Sequence, residues 1–192
     1  MTGRLITGCA GLFAALLLAS PIARAADSGE RHLTGNEARA LALAFQTIGA
    51  GVAPGQGGSA FGGVTVHVAS MPSCYRFSFV SDADPSVHST LRFAKPQGES
   101  DGSPCSDAPA KENSIPGAEA EAIVRVVQAW SRGELAGAPG LETLSSGAFN
   151  ISEKLGADGR PIVDLILAGA ACALPFTYAP ADGKIVPLAR PC

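Results

Sequence analysis

Apolar residues recur at helical spacing in two stretches of this chain, and each stretch is followed by residues that alternate at strand spacing. Leu41, Phe45 and Ile48 share one helical stripe; Ile123, Val127 and Trp130 share another. Thr34-x-x-Glu37 opens the first helix as a capping box, in which hydroxyl and carboxylate satisfy the first free amides. Glycine-rich sequence from Gly49 stops it. Pro116 stands at the entrance of the second helix, where a missing amide hydrogen costs nothing. Val64, Val66 and Val68 then alternate with Thr65, His67 and Ala69, and after Cys74 the residues Tyr75, Phe77 and Phe79 share a face. Later, Phe149–Leu155 and Pro161–Leu167 flank Gly156-Ala157-Asp158-Gly159 as a hairpin, and Leu174, Phe176 and Tyr178 form another one-sided run. Asp82-Ala83-Asp84-Pro85 and Pro180-Ala181-Asp182-Gly183 carry turn chemistry, each before a further strand, Thr90–Ala94 and Lys184–Leu188. The glycine-rich stretch from Val52 to Gly63 reads either as the first strand of this unit, obscured by its glycines, or as an open loop.

The two helical stretches also match residue by residue. Gly35-Asn36-Glu37-Ala38-Arg39-Ala40-Leu41, followed by Gln46, returns 82 positions on as Gly117-Ala118-Glu119-Ala120-Glu121-Ala122-Ile123, followed by Gln128. Val64–Cys74 and Ile162–Cys172 are both eleven-residue β-favouring runs ending in cysteine, 98 positions apart. On this matching His67 stands opposite Leu165, and Asp164 opposite Val66. The expected fold is therefore α+β: two tandem repeats, each one helix followed by three or four antiparallel strands, with the helix packed on one sheet face and one disulfide per repeat. The boundaries are 34–110 and 111–192, after a flexible stretch over 26–33. Some 80 residues make a marginal core alone, so the two units should pack together.

Residues 1–25 have the form of a secretory signal peptide: Arg4, an apolar run from Cys9 to Ala19, and the small-x-small site Ala23-Arg24-Ala25. Eleven apolar residues fall short of the roughly 20 that a spanning helix requires. The remaining 167 residues hold Cys74, Cys105, Cys172 and Cys192, an even number suited to two disulfides in an oxidising compartment, the periplasm or outside the cell. Reflecting Cys172 across the turn near Asp182 lands beside Cys192. The same operation on Cys74 lands near Lys95, with a polar insertion before Cys105. This favours Cys74–Cys105 and Cys172–Cys192, each worth about 3–4 kcal/mol in the chain-entropy picture; Cys74–Cys172 with Cys105–Cys192 is the rival pairing.

Beyond the signal, twelve basic residues face seventeen acidic ones without a basic cluster, which argues against nucleic acid and anionic membrane surfaces as partners, and no later apolar run is long enough for stable membrane insertion. No spacing of histidine, cysteine and acid suits a metal, and no cofactor is implied. Gly57-Gly58-Ser59-Ala60-Phe61 lacks the second glycine of a nucleophile elbow. His67, on a strand face opposite the valines, and Asp164, on an otherwise apolar strand, are the candidates for chemistry; an exposed strand position is the plainer reading of both. Phe61 in its glycine-rich loop, Arg76 beside the aromatic strand, and the Leu135–Leu144 connection are the candidates for recognition, since aromatic and arginine side chains anchor interfaces.

Doubled helix-then-strands units with four cysteines resemble the secreted β-lactamase inhibitory proteins, and the helix followed by strands is similar to the PepSY modules of bacterial envelopes. The resemblance is one of element order and cysteine count, and it carries no individual residue across. The expected function is an exported soluble binding module without enzymatic activity, an inhibitor being one form of it, that recognises an envelope or extracellular protein. The alternatives are a small exported hydrolase using His67 or Asp164, and a structural or assembly factor of the envelope.

Overall fold

A computed structural model describes residues 31–49, 61–96, 100, 102–105, 112–135, 141–169 and 173–188. The chain opens with a short strand, β1 (Arg31–Thr34), that leads directly into α1 (Gly35–Gly49). Three strands follow: β2 (Val64–Ser70), β3 (Cys74–Ser81) and β4 (His88–Ala94). The second half repeats the opening, with β5 (Glu112–Pro116) leading into α2 (Gly117–Ser131). A 3₁₀ turn (Leu141–Ser146) then precedes β6 (Ala148–Leu155), β7 (Pro161–Ala168), β8 (Ala173–Ala179) and β9 (Lys184–Pro187). The fold is α+β, with two helices and two antiparallel sheets.

The sheets do not follow the sequence halves. Their orders are β1-β6-β7-β8-β9 and β4-β3-β2-β5, so each strand that leads into a helix pairs in the sheet of the other half. Leu33 sits opposite Phe149, and Ile115 opposite Val66. Each sheet therefore draws strands from both sides of residue 111. The flexible start expected over 26–33 gives way at Arg31 to a strand with Leu33 fully buried; residues 26–30 lie outside the described residues. The exchange also changes which strands occupy like places. The rows Ile115–Val66–Phe79–Ser89 and Leu33–Phe149–Leu167–Leu174 run across the two sheets from the exchanged strands. In these rows Val66 of β2 stands where Phe149 of β6 stands, so the match of Val64–Cys74 to Ile162–Cys172 was one of composition and not of position. His67 takes the place of Asn150, and each pairs across the strands with a residue of an exchanged strand, Ser114 or His32.

Both helices lie against the inner faces of both sheets and against each other, rather than each on one sheet. Their small residues, Ala38, Ala42, Ala120 and Ala122, permit the close approach, and the larger Leu41, Phe45, Ile123 and Trp130 fill the single shared core. Phe45 meets Phe79 edge-on with ring centroids 5.4 Å apart, and Trp130 meets Phe176 at 6.2 Å. The sheets meet along β1 and β5, where the Asn113 amide donates to the His32 carbonyl at 3.5 Å.

The glycine that begins each helix has a steric reason. A Cβ on Gly35 would lie 1.7 Å from the Leu144 carbonyl oxygen, and one on Gly117 would lie 2.0 Å from that of Phe61. In both cases the chain just before the opposite half's first strand crosses the helix entrance. The Gly35 amide donates to the Gly147 carbonyl at 2.9 Å.

The two entrances differ in how their acids are satisfied. Glu37 accepts the Thr34 amide (2.8 Å) and hydroxyl (2.9 Å), while the Thr34 hydroxyl accepts the Glu37 amide, completing the expected capping box. Pro116 offers neither an amide hydrogen nor a hydroxyl to Glu119. That carboxylate, 1% exposed, turns instead to Arg31 of β1, whose Nη1 donates to Oε1 at 2.7 Å, and Oε2 is left without a partner. Burial pushes the Glu119 pKa up to about 7, against the pull of Arg31 and with a smaller push from Glu153.

Cys74 is bonded to Cys105 with Cα atoms 5.6 Å apart, as the hairpin reflection favoured, which sets aside the rival pairing of Cys74. Cys172 and Cys192 lie outside the described residues, as does the signal segment 1–25. Among the described residues no helix is long and apolar enough to cross a membrane.

Candidate functional site

The residues singled out from sequence are scattered over the surface. His67 lies on the outer face of the four-stranded sheet, its Nδ1 3.0 Å from the Ser114 hydroxyl and 3.9 Å from Glu112 Oε2. Arg76 donates to the other oxygen of Glu112 at 2.8 Å. Serine, histidine and acid are thus neighbours, yet both partners approach the same imidazole nitrogen. A proton relay needs the nucleophile on one nitrogen and the acid on the other. Asp164, on the outer face of the five-stranded sheet, accepts the Thr177 hydroxyl at 3.0 Å and is ion-paired with Lys154. His67 and Asp164 do not share a site.

The recognition candidates are also bound into the structure. Phe61 is half-buried against Phe45, their ring centroids 4.2 Å apart, so it belongs to the edge of the core rather than to a free loop; residues 50–60 lie outside the described residues. Leu135 and Leu144, at the ends of the apolar connection, are buried.

A cleft lies elsewhere, between the end of α2 and the β8–β9 turn, with a volume of about 550 Å³. Its position follows from two local features. Arg132 caps α2 by donating its amide to the Gln128 carbonyl, and Gly133, at φ +70°, reverses the chain so that Glu134 and Leu135 fold back over the opening. Opposite, the Gly183 amide donates to the Ala179 carbonyl at 2.9 Å, closing the turn that carries Asp182.

The inner wall of the cleft holds a buried polar set. The Tyr178 hydroxyl donates to Glu121 Oε1 at 3.3 Å, and Arg125 Nη2 donates to the same oxygen at 3.3 Å, one helical turn along. Tyr178 and Glu121 are fully buried, whereas the Arg125 side chain is 40% exposed. Burial, reinforced by the Glu121 charge, pushes the Tyr178 pKa up to about 12, so the phenol stays protonated and remains a hydrogen-bond donor. At the rim Arg132 grips Glu134 with two bonds of 2.6 and 2.8 Å, which lowers the Glu134 pKa and raises that of Arg132. Leu135, Ile185, Ala129 and Pro180 complete the walls. The charges of Glu121, Arg125, Arg132 and Glu134 are all paired, and those of Arg125, Arg132 and Glu134 also face water.

Known protein families, curated proteins and solved structures were all compared with this chain, and none matches. The resemblance to inhibitory proteins and PepSY modules therefore gains no support beyond element order.

Sequence reasoning missed the cleft because Tyr178 reads as one more inward aromatic, and Glu121 as one position in a recurring motif. The available signal was the mismatch inside that motif. At the position of Glu121 the first helix carries Arg39, and at that of Arg125 it carries Leu43.

Proposed function

We propose that this chain is an exported binding module without enzymatic activity, derived from two copies of one helix-and-sheet unit, which recognises an envelope or extracellular protein through the cleft at the end of α2. The observation that carries this reading is the comparison between the halves. Counting across the strand rows, Phe93 takes the place of Tyr178, as Arg39 and Leu43 take those of Glu121 and Arg125. Half-buried Phe93 packs on Phe77 with centroids 6.0 Å apart, and Leu43 is 51% exposed. At these three positions one half thus closes its core without an acid, arginine and phenol in contact, so the fold itself does not call for them there. A buried polar set costs desolvation even when it is satisfied, and a ligand is what would repay it here. The signal segment supports export, and the disulfide suits an oxidising compartment.

A second reading, an envelope assembly factor, draws support from Ile166, Val186 and Leu188, which are all exposed on the five-stranded sheet or at its edge. Site-specific photo-crosslinking in the producing cell separates the two. A photoreactive residue in place of Asp182, at the mouth of the cleft, should give a discrete adduct that one in place of Ile166 does not. Adducts from Ile166 alone would favour assembly through the sheet, and none from Asp182 would refute recognition through the cleft.

A further inference from the structure

Charges of both signs line the cleft, Glu121, Glu134 and Asp182 against Arg125 and Arg132. Glu121 is the inner acid; it is buried, and its Oε1 already accepts hydrogen bonds from Arg125 and Tyr178. Arg125 spends one nitrogen on Glu121 through a long contact of 3.3 Å and keeps 40% of its side chain exposed. A guanidinium has five N–H donors in a fixed fork, so Arg125 has donors left for an incoming acceptor. The second arginine, Arg132, is occupied at two points by Glu134. Glu134 and Asp182 surround the opening with negative charge. An anionic group is therefore repelled by the acids at the rim and meets the remaining donors of Arg125 on the inner wall, while Leu135, Ile185 and Pro180 offer apolar contact in the same cleft. The volume, about 550 Å³, fits a ligand of one to three residues, within the usual range of roughly 300–1,000 Å³ for small-molecule sites.

We infer that the cleft binds a carboxylate carried on an apolar body, with the carboxylate on Arg125 and the body between Leu135 and Ile185. The inference rests on the reading of the cleft as the recognition site and gives that reading its ligand chemistry. Two sources share the chemistry: the C-terminus of a polypeptide ending in an apolar residue, and a free apolar carboxylate.

The test uses the full chain after signal removal, isotopically labelled, titrated with N-acetyl-leucine, N-acetyl-leucinamide, and a pentapeptide ending in leucine as its free acid and its amide. Saturable shifts at Arg125, Ala129 and Ile185 are expected with the acids, and binding at least about tenfold weaker with the amides, as for the loss of one charge-assisted contact. Arg125→Gln should weaken acid binding to the same extent while leaving signals from the four-stranded sheet unmoved; Arg132→Gln should change it by less than about twofold, since Glu134 already holds it by two bonds at the rim. Tighter binding of the pentapeptide than of N-acetyl-leucine identifies a chain terminus; equal binding identifies a free small acid. Equal affinity for acids and amides, or no loss in Arg125→Gln, overturns the inference. If no probe binds but crosslinks from Asp182 persist, the ligand class is wrong and the recognition site stands; if both fail, both readings fall.

Discussion

Glu119 gives the sharpest quantitative test of the structure. Its folded pKa of about 7, against an ordinary 4.5, means that the native state holds this proton more tightly than the unfolded chain does. Unfolding between pH 4.5 and 7 releases the proton, so stability is highest below the unfolded pKa and falls as pH rises through the folded one. A shift of this size corresponds to at most about 3 kcal/mol. Replacing Glu119 with Gln keeps the volume and removes the charge. Near pH 4.5 the two proteins should be equally stable; by pH 8 Glu119→Gln should be the more stable by about 2–3 kcal/mol, or roughly 5–10 °C in melting temperature for a chain of this length. Urea unfolding of both proteins from pH 4.5 to 8 is the assay, because subtracting one curve from the other cancels every other titrating group. A difference that is flat with pH would show that Arg31 fully offsets burial. One that favours the wild type at pH 8 would show that the ion pair outweighs it. Either result would refute the energetic account of the α2 entrance.

Gly35→Ala should cost at least about 2 kcal/mol in thermal or urea unfolding, because the new methyl meets the backbone at Leu144 rather than a movable side chain; a neutral effect would contradict the crossing at the helix entrance. A chain nicked between residues 106 and 111 should remain one complex in size-exclusion chromatography, since β1 and β5 each complete the other half's sheet; two separately folded, dissociating fragments would refute the exchange. Serine at both Cys74 and Cys105 should lower stability by about 3–4 kcal/mol for a loop spanning 31 residues, and no loss on equilibrium unfolding would count against the bond. Tyr178→Phe should unfold at a pH-independent cost of about 1 kcal/mol between pH 5 and 9, as a protonated donor to Glu121 requires.

Most elements could be read directly from the chain because their causes are local. The stripe Leu41–Phe45–Ile48, the Thr34–Glu37 box, the turn at Gly156–Gly159 and the alternation through β2, β3, β7 and β8 each depend on residues within a few positions of one another. β1 and β5 could not be read so. Arg31-His32-Leu33-Thr34 and Glu112-Asn113-Ser114-Ile115-Pro116 each bury only one apolar residue to any depth, Leu33 or Ile115, and contain no alternation long enough to mark a strand. They are strands because β6 and β2 supply their hydrogen bonds. The candidate site was hidden for a related reason: Glu121, Arg125 and Tyr178 lie on separate elements or turns, and only their positional differences from Arg39, Leu43 and Phe93 set them apart.

By itself, the sequence determined the two helices, the hairpins and the inward faces, all set by periodicity, turn chemistry and short loops, and it favoured the pairing of Cys74 with Cys105 that the structure then decided. Only the tertiary structure decided that the halves exchange their leading strands, that glycine must open each helix, and that an acid, an arginine and a phenol converge on one cleft. Those outcomes depend on which surfaces come together once the shared core is buried, and residues as much as 118 positions apart, such as His32 and Asn150, then become neighbours.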